Sequence, residues 1–360
     1  MKPRILIMAG GTGGHVFPAL AVADELRAQQ SDIFWMGTEN GIEANLVPAA
    51  GYPLMLIDVE GLRGNGLKGW MLAPAKVLKA VFQALKVIKE VKPDVVLGLG
   101  GFASGPGGLA AWLLRKPVVI HEQNAIPGLT NRLLSKLARQ VLEGFPQSFA
   151  ASQKANWVGN PVRVNIEKLN SPESRFAERA GPIRLLVLGG SLGAKALNTV
   201  VPVAIALADE GTLFEIKHQC GPRHLNDCKQ NYNKAGVKVE VTAFIDDMSK
   251  AYAWADLVIC RAGALTIAEI AAAGVGALLI PYPYAVDDHQ THNAMALVNA
   301  CAAKLISEKI LTAELLNNEL SVLTSNRKTL LTMANAARSQ AKLGAAKVIA
   351  AICLKEIRHE

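Results

Sequence analysis

The chain has 360 residues, with 51% hydrophobic residues, 19% charged residues and a formal net charge of +8. That length suits two domains of ~150–200 residues each. The composition excludes a disordered chain, a coiled coil and a nucleic-acid-binding tail, all of which carry far more charge. An apolar chain that is also basic points to a soluble protein touching an anionic, greasy surface.

In chain order, short β-rich runs alternate with longer helical patterns. Strands are predicted at Arg4–Met8, Asp32–Met36, Asp94–Leu97 and Pro117–His121, with helices at Ala19–Gln29 and Leu72–Val91. Nearly all-apolar strands in such alternation predict a parallel sheet covered on both faces. The second half restarts the pattern with a strand at Ile183–Leu188 and a helix at Ala194–Ala208. Later strands are predicted at Val237–Ala243, Leu257–Cys260 and Gly276–Pro281, and a helical tail at Leu330–Ile357. The two openings resemble each other, ILIMAGGTGGH at Ile5–His15 and LLVLGGSLGAK at Leu185–Lys195, which makes Gly11 and Gly190 equivalent. Gly159, Asn160 and Pro161 break regular structure at the join. The pattern predicts an α/β protein of two Rossmann-like, doubly wound parallel-sheet domains facing a cleft, residues 1–162 and 163–340.

The five cysteines (Cys220, Cys228, Cys260, Cys301 and Cys353) are odd in number and have no CxxC spacing. They read as reduced thiols packed as small hydrophobes. The apolar run before the first glycines is too short for a signal peptide. Ile270–Val286 is interrupted by Gly274, Gly276, Pro281 and Pro283, so no membrane span is expected.

Three strand-to-helix turns are glycine-rich: Gly10–His15, Gly100–Gly108 and Gly189–Lys195. Glycine lets backbone approach an anion, and the following helix presents free N–H groups and a positive dipole end. With Thr12, Ser104 and Ser191 as hydroxyl donors, the three turns together favour phosphate or pyrophosphate. Which phosphate ligand stays open on this evidence. No GxxxxGK[ST] is present, and Val16 stands where the first turn would need its last glycine for GxGxxG. Gly98–Ala103 fits GxGxxA, with Glu122 about twenty residues on, the best case for a nicotinamide-dependent dehydrogenase.

Eight ordered segments carry a more specific resemblance. They are GGTGGHVFPAL (Gly10–Leu20), GLRG (Gly61–Gly64), PDVVLGLGGFASGPG (Pro93–Gly107), HEQN (His121–Asn124), GNPVR (Gly159–Arg163), GGSLGA (Gly189–Ala194), FIDDM (Phe244–Met248) and RAGALTIAEI (Arg261–Ile270). The chain resembles the peptidoglycan GlcNAc transferases of glycosyltransferase family 28, which have the GT-B fold. The resemblance implies an inverting transfer of GlcNAc from UDP-GlcNAc to the C4 hydroxyl of an undecaprenyl-pyrophosphoryl-MurNAc-pentapeptide. It places the acceptor and membrane on the N-terminal domain and the nucleotide sugar on the C-terminal one, with the helix at about 341–360 packing back on the former. It implies no cofactor, no protein-bound metal and no nucleic-acid partner. The location it implies is peripheral, on the cytoplasmic face of the bacterial inner membrane, with cell-wall synthesis and division proteins as further partners.

By the same resemblance His15 is the candidate general base, which imidazole chemistry near pH 7 suits. Thr12, Gly13, Gly14, Asn124, Arg163, Ser191, Ile245, Ala264, Leu265, Thr266, Ile267, Ala268, Glu269 and Gln290 are assigned to the donor. Ser191 meets the pyrophosphate, an N-cap being its plainer reading. Ile245 meets uracil through its backbone, although as a residue it reads as core. Glu269 meets ribose, and an acidic group inside IAEIAAAG costs solvation unless it is partnered. Gln290 reads sugar hydroxyls, while His289 stands where related enzymes carry a second glutamine. Asp287, Asp288, His289 and His292 lack further metal-ligand spacing.

Gly101 and Ser104 are assigned to the acceptor side. On Leu72–Val91, Val77, Leu78, Val81, Leu85 and Ile88 share one helical face, opposite Lys76, Lys79, Lys86 and Lys89. Trp70, Met71, Leu72 and Phe82, framed by Lys76, Lys79 and the neighbouring Arg63, are the candidate contact with anionic lipid. Competing readings are another GT-B UDP-sugar enzyme (a glycolipid glycosyltransferase or a UDP-GlcNAc epimerase), the dehydrogenase, and a non-catalytic membrane scaffold.

Overall fold

The computed structural model describes residues 2–59, 66–208 and 213–357, with the side chains of 66–73 and 286 excepted. The chain divides into two units, Met1–Val162 with Gly344–Glu360, and Arg163–Leu343.

Among the described residues, the first unit holds seven strands: β1 (Arg4–Ala9), β2 (Asp32–Gly37), β3 (Leu54–Leu56), β4 (Val95–Gly100), β5 (Val118–Glu122), β6 (Gln140–Glu143) and β7 (Asn156–Trp157). They lie in the order β3-β2-β1-β4-β5-β6-β7, and every pairing is parallel. The unbroken apolar run of β1 follows from burial on both sides. Ile5, Ile7 and Ala9 join one core with the helix Gly13–Ala28, while Leu6 and Met8 join the opposite core with Val81, Ala84 and Ile88 of the helix Gly66–Val91. The Trp35 indole N–H donates to the Ala9 carbonyl at 2.8 Å, securing the end of β1 just before its glycines.

The second unit holds β8 (Ile183–Leu188), β9 (Phe214–Gln219), β10 (Glu240–Thr242), β11 (Leu257–Cys260), β12 (Gly276–Leu279) and β13 (Ala303–Leu305). Their order is β10-β9-β8-β11-β12-β13, again all parallel. In both units the strand order reverses beside the first strand, between β1 and β4 and between β8 and β11. Ligands of open parallel sheets bind at such switch points.

Several predicted elements change their bounds: the helix expected at Ala19–Gln29 begins at Gly13, and the helix expected at Leu72–Val91 begins at Gly66. The strand expected at Val237–Ala243 is confined to β10. The tail expected as one helix is two, Arg327–Ser339 and Ala345–Lys355, separated by Gly344 at φ +75. Only glycine adopts that left-handed conformation cheaply. The turn hands the last helix to the first unit, where Ala346, Ile349, Ala350 and Cys353 join the core containing the helix Gly13–Ala28.

Candidate active site

In the first unit, the turn after β1 sets His15 at the opening of the helix Gly13–Ala28. Its Nδ1 lies 3.1 Å from the Gly10 carbonyl oxygen and 3.4 Å from Thr12 Oγ1. A carbonyl only accepts, so in the neutral ring Nδ1 carries the proton and Nε2 is the basic nitrogen. Thr12 precedes the helix in extended conformation and makes no side-chain cap. The turn after β4 makes room for this ring. A Cβ on Gly100 would lie 2.9 Å from His15 Nε2, and one on Gly101 would lie 2.4 Å from the Gly10 carbonyl oxygen. Gly100 and Gly101 also have φ +101 and +87. Gly100 thus makes room for the His15 ring and Gly101 for the Gly10 backbone, which leaves the dehydrogenase motif at Gly98–Ala103 without its ligand rationale.

Ser104 corrects an expectation. Its hydroxyl is wholly buried and lies 2.9 Å from the Met8 carbonyl and 2.8 Å from that of Gly100, to one of which it donates. It ties β1 to β4 and offers nothing to a ligand. The HEQN segment is organised the same way. Glu122 accepts from the Asn124 N–H (2.9 Å), Asn124 Nδ2 (3.1 Å), the Gly128 N–H (3.1 Å) and Asn131 Nδ2 (2.9 Å). His121 donates from Nε2 to the Gly159 carbonyl at 2.9 Å, and burial pushes its pKa down to about 4. Both support the loop that carries Asn124.

In the second unit, the turn after β8 leaves Ser191 exposed. The helix starts only at Lys195, with Ala194 at the N-cap and no side-chain cap bond, so Ser191 is not an N-cap. The turn is held from β9, where the Gln219 amide accepts from the Gly190 N–H and donates to the carbonyls of Gly190 and Ala243, all at 3.0 Å. A Cβ on Gly193 would fall 2.3 Å from the Cys220 carbonyl oxygen. Beneath the turn, His218 bridges Tyr232 Oη (2.8 Å) and Asn198 Oδ1 (3.0 Å), and burial lowers its pKa to about 3. It is therefore a neutral structural histidine.

The helix Ala264–Ala273 follows β11, with Gly263 at its N-cap and no side-chain cap bond. Its ladder begins with the Ile267 N–H donating to the Gly263 carbonyl. The amides of Ala264, Leu265 and Thr266 therefore precede the ladder at the positive end of the helix. The Ile267 side chain is buried core, and Ala268 is half-buried. Glu269 has partners of its own within the unit. Arg163 donates to its Oε1 from Nε (3.2 Å) and Nη2 (2.8 Å), and Tyr252 Oη donates to Oε2 at 3.2 Å. The solvation cost that pointed to a ligand is met inside the unit, and Arg163 is engaged by Glu269. Oε1 is filled by its two guanidinium donors, while Oε2, with one donor, still has a lone pair to offer. Gln290 Oε1 accepts from the N–H groups of Ala262 (3.3 Å) and Tyr282 (2.9 Å), which leaves its Nε2 as the group that donates. Ile245 is half-buried in the loop after β10, and among the described residues its N–H and C=O enter no hydrogen bond.

The basic helix splits its apolar stripe. Val81 and Ile88 are buried and Leu85 is half-buried, but Val77, Leu78 (57% exposed) and Phe82 (63% exposed) face out, because the core engages the helix only from about Val81. Lys76 is exposed, and Lys79 pairs with the exposed Asp58. Trp112 and Leu113 on the packed neighbour helix Ser104–Leu113 are exposed too. The GLRG segment with Arg63, and the side chains of Trp70, Met71 and Leu72, lie outside the described residues.

Sequence reasoning missed Glu43, Gln219 and Tyr252. Glu43 sits in a short helix, Glu43–Ala49, and is wholly buried. Its signal was an acidic residue just after Gly41 with no lysine or arginine nearby to partner it.

Two Rossmann-like units with glycine turns at their switch points define the GT-B class of glycosyltransferase folds. The chain belongs to glycosyltransferase family 28, whose N-terminal domain matches residues 5–143 and C-terminal domain residues 184–349. It is 55% identical over 355 residues, 99% of each chain, to the UDP-N-acetylglucosamine–N-acetylmuramyl-(pentapeptide) pyrophosphoryl-undecaprenol N-acetylglucosamine transferase of Nitrosococcus oceani. The Coxiella burnetii protein of the same name is 49% identical, over 98% of each chain. Acinetobacter baumannii MurG superposes with a TM-score of 0.85 at 42% identity, covering 98% of this chain and 99% of that one. A Neisseria meningitidis UDP-GlcNAc 2-epimerase shares the fold at 15% identity and a TM-score of 0.67, which speaks for the fold alone.

Proposed function

We propose that this enzyme transfers GlcNAc from UDP-GlcNAc to the C4 hydroxyl of the MurNAc-pentapeptide carried on undecaprenyl pyrophosphate, with inversion, releasing UDP. The observation that carries the reading is full-length identity of 49–55% to relatives named for that reaction. In this reading His15 Nε2 takes the proton of the attacking hydroxyl. The oxygen attacks the anomeric carbon on the face opposite the diphosphate, and the charge left on UDP is met by backbone N–H groups around Ser191 and at the start of the helix Ala264–Ala273. Ile245 presents backbone to the uracil and Glu269 accepts from ribose, while Gln290 Nε2 donates to sugar hydroxyls. Asn124 and the Thr12–Gly14 turn complete the set on the first unit. The test is to incubate the purified protein with labelled UDP-GlcNAc and a lipid-linked muramyl acceptor. Sugar transfer is expected, and none from folded protein would overturn the reading.

Among the described residues no helix is long and apolar enough to cross a membrane. The proposed membrane contact is peripheral, at the cytoplasmic face, through Leu78, Phe82, Trp112 and Leu113 with Lys76 and Lys79 beside them. Exposed aromatic and aliphatic side chains among cations suit an anionic interface. Flotation with vesicles containing anionic lipid should weaken as salt rises and should fall several-fold in Phe82→Glu. Binding that ignores both salt and this substitution would refute the surface.

A further inference from the structure

The Glu43 carboxylate is wholly buried and is held by three donors: the Gly11 N–H to Oε2 at 2.8 Å, and the Thr38 N–H (3.0 Å) and Oγ1 (2.8 Å) to Oε1. Three glycines make its space. A Cβ on Gly10, Gly37 or Gly41 would lie 2.3, 2.7 or 2.0 Å from a Glu43 side-chain atom. The amide that Glu43 holds belongs to the Gly10–Gly11 peptide, and the carbonyl of that same peptide accepts from His15 Nδ1 at 3.1 Å. A planar peptide cannot turn its N–H without turning its C=O. The carboxylate, the peptide and the imidazole therefore form one chain of hydrogen bonds, in which each bond polarises the next.

We propose that Glu43 is a positioning residue that acts through the Gly10–Gly11 peptide to hold neutral His15 in the Nδ1–H tautomer, with Nε2 as its basic nitrogen. The catalytic consequence rests on reading His15 as the general base; the tautomer itself does not. The second unit supplies a contrast. There the equivalent Gly190 N–H is held by the neutral amide of Gln219 at 3.0 Å, and no histidine follows it in the turn. A charged clamp accompanies the turn that carries a base, and a neutral clamp the turn that faces an anionic diphosphate.

The test is Glu43→Gln in the full-length protein. It keeps the side chain's shape but removes the charge, and puts a donating amide NH2 where one carboxylate oxygen accepts. The His15 ring nitrogens, assigned by their loss in His15→Gln, are read by long-range 1H–15N correlation above the ring's pKa. The wild type is expected to show Nδ1–H alone and Glu43→Gln a mixture of tautomers. The variant's kcat should fall about tenfold or more, with the UDP Kd and the UDP-GlcNAc KM within about twofold of wild type. An unchanged tautomer would overturn the proposal, as would UDP affinity falling in step with kcat, which marks a merely structural role. If Glu43→Gln fails to fold, Glu43→Asp, which withdraws the carboxylate from the Gly11 N–H, decides by the same spectrum: a mixture supports the proposal and Nδ1–H alone overturns it. Full turnover in His15→Ala would sink the base reading and leave the tautomer result standing.

Discussion

His15→Ala is expected to lower kcat by ~10²–10⁴ while the Kd for UDP stays within about twofold of wild type. The asymmetry follows from where the ring sits. His15 belongs to the unit Met1–Val162, and its polar neighbours there include the Gly10 carbonyl and Thr12. The diphosphate and nucleoside contacts proposed here come from Ser191, Ile245 and the helix Ala264–Ala273 in the other unit. Removing an imidazole from the first turn opens space beside Gly100 and takes a neighbour from Thr12, but touches none of the diphosphate, uracil or ribose contacts proposed in the other unit. Paired measurement of kcat by radiolabel transfer and of UDP affinity by calorimetry checks it. Undiminished turnover would reassign His15 to a binding or structural role.

Glu269→Gln should weaken UDP binding by about tenfold to a hundredfold, the loss expected when a charged acceptor of ribose hydroxyls becomes neutral. The substitution keeps volume, so the fold should survive better than in Glu269→Ala. Alanine would leave the Arg163 guanidinium and the buried Tyr252 hydroxyl without their shared partner. Burial, with Glu269 beside it, holds the Tyr252 hydroxyl far above its ordinary pKa. It remains protonated throughout the working pH range, and a glutamine NH2 placed opposite it would leave its proton without an acceptor. Some loss of thermal stability is therefore expected even in Glu269→Gln, and more in the alanine variant. Calorimetry and thermal unfolding on both variants separate the two effects. Wild-type UDP affinity in Glu269→Gln would remove Glu269 from the ribose site and leave it a structural residue.

Much of the architecture was legible in the sequence because it rests on local signals. The run RILIM needs burial on both faces, and Ile5 and Ile7 do enter one core while Leu6 and Met8 enter the other. The repeat of ILIMAGG in LLVLGG marks the restart of the same strand order, so two doubly wound sheets followed from pattern alone. The β9 strand was not legible. FEIKHQ carries charge at alternate positions, and its His218 and Gln219 are buried by partners far along the chain, Tyr232 and Asn198 for one and the Gly190 turn for the other.

At the site, the residue types and glycine turns spoke from sequence, and their purposes did not. By itself the sequence determined the fold class, the family and which turns could approach an anion, because short-range spacing carries that information. Only the tertiary structure decided how polar groups are satisfied, because hydrogen-bond partners are set by long-range packing. Ser104 is a buried tie between two strands, and Glu269 is already partnered by Arg163, 106 positions away. Gly100 is glycine because a histidine ring lies against it. Glu43 reaches across 32 positions to the peptide that orients His15. The three in the first unit depend on the doubly wound sheet bringing β1, β2 and β4 side by side, and the Glu269 pairing depends on the packing of the second unit; no local pattern encodes either.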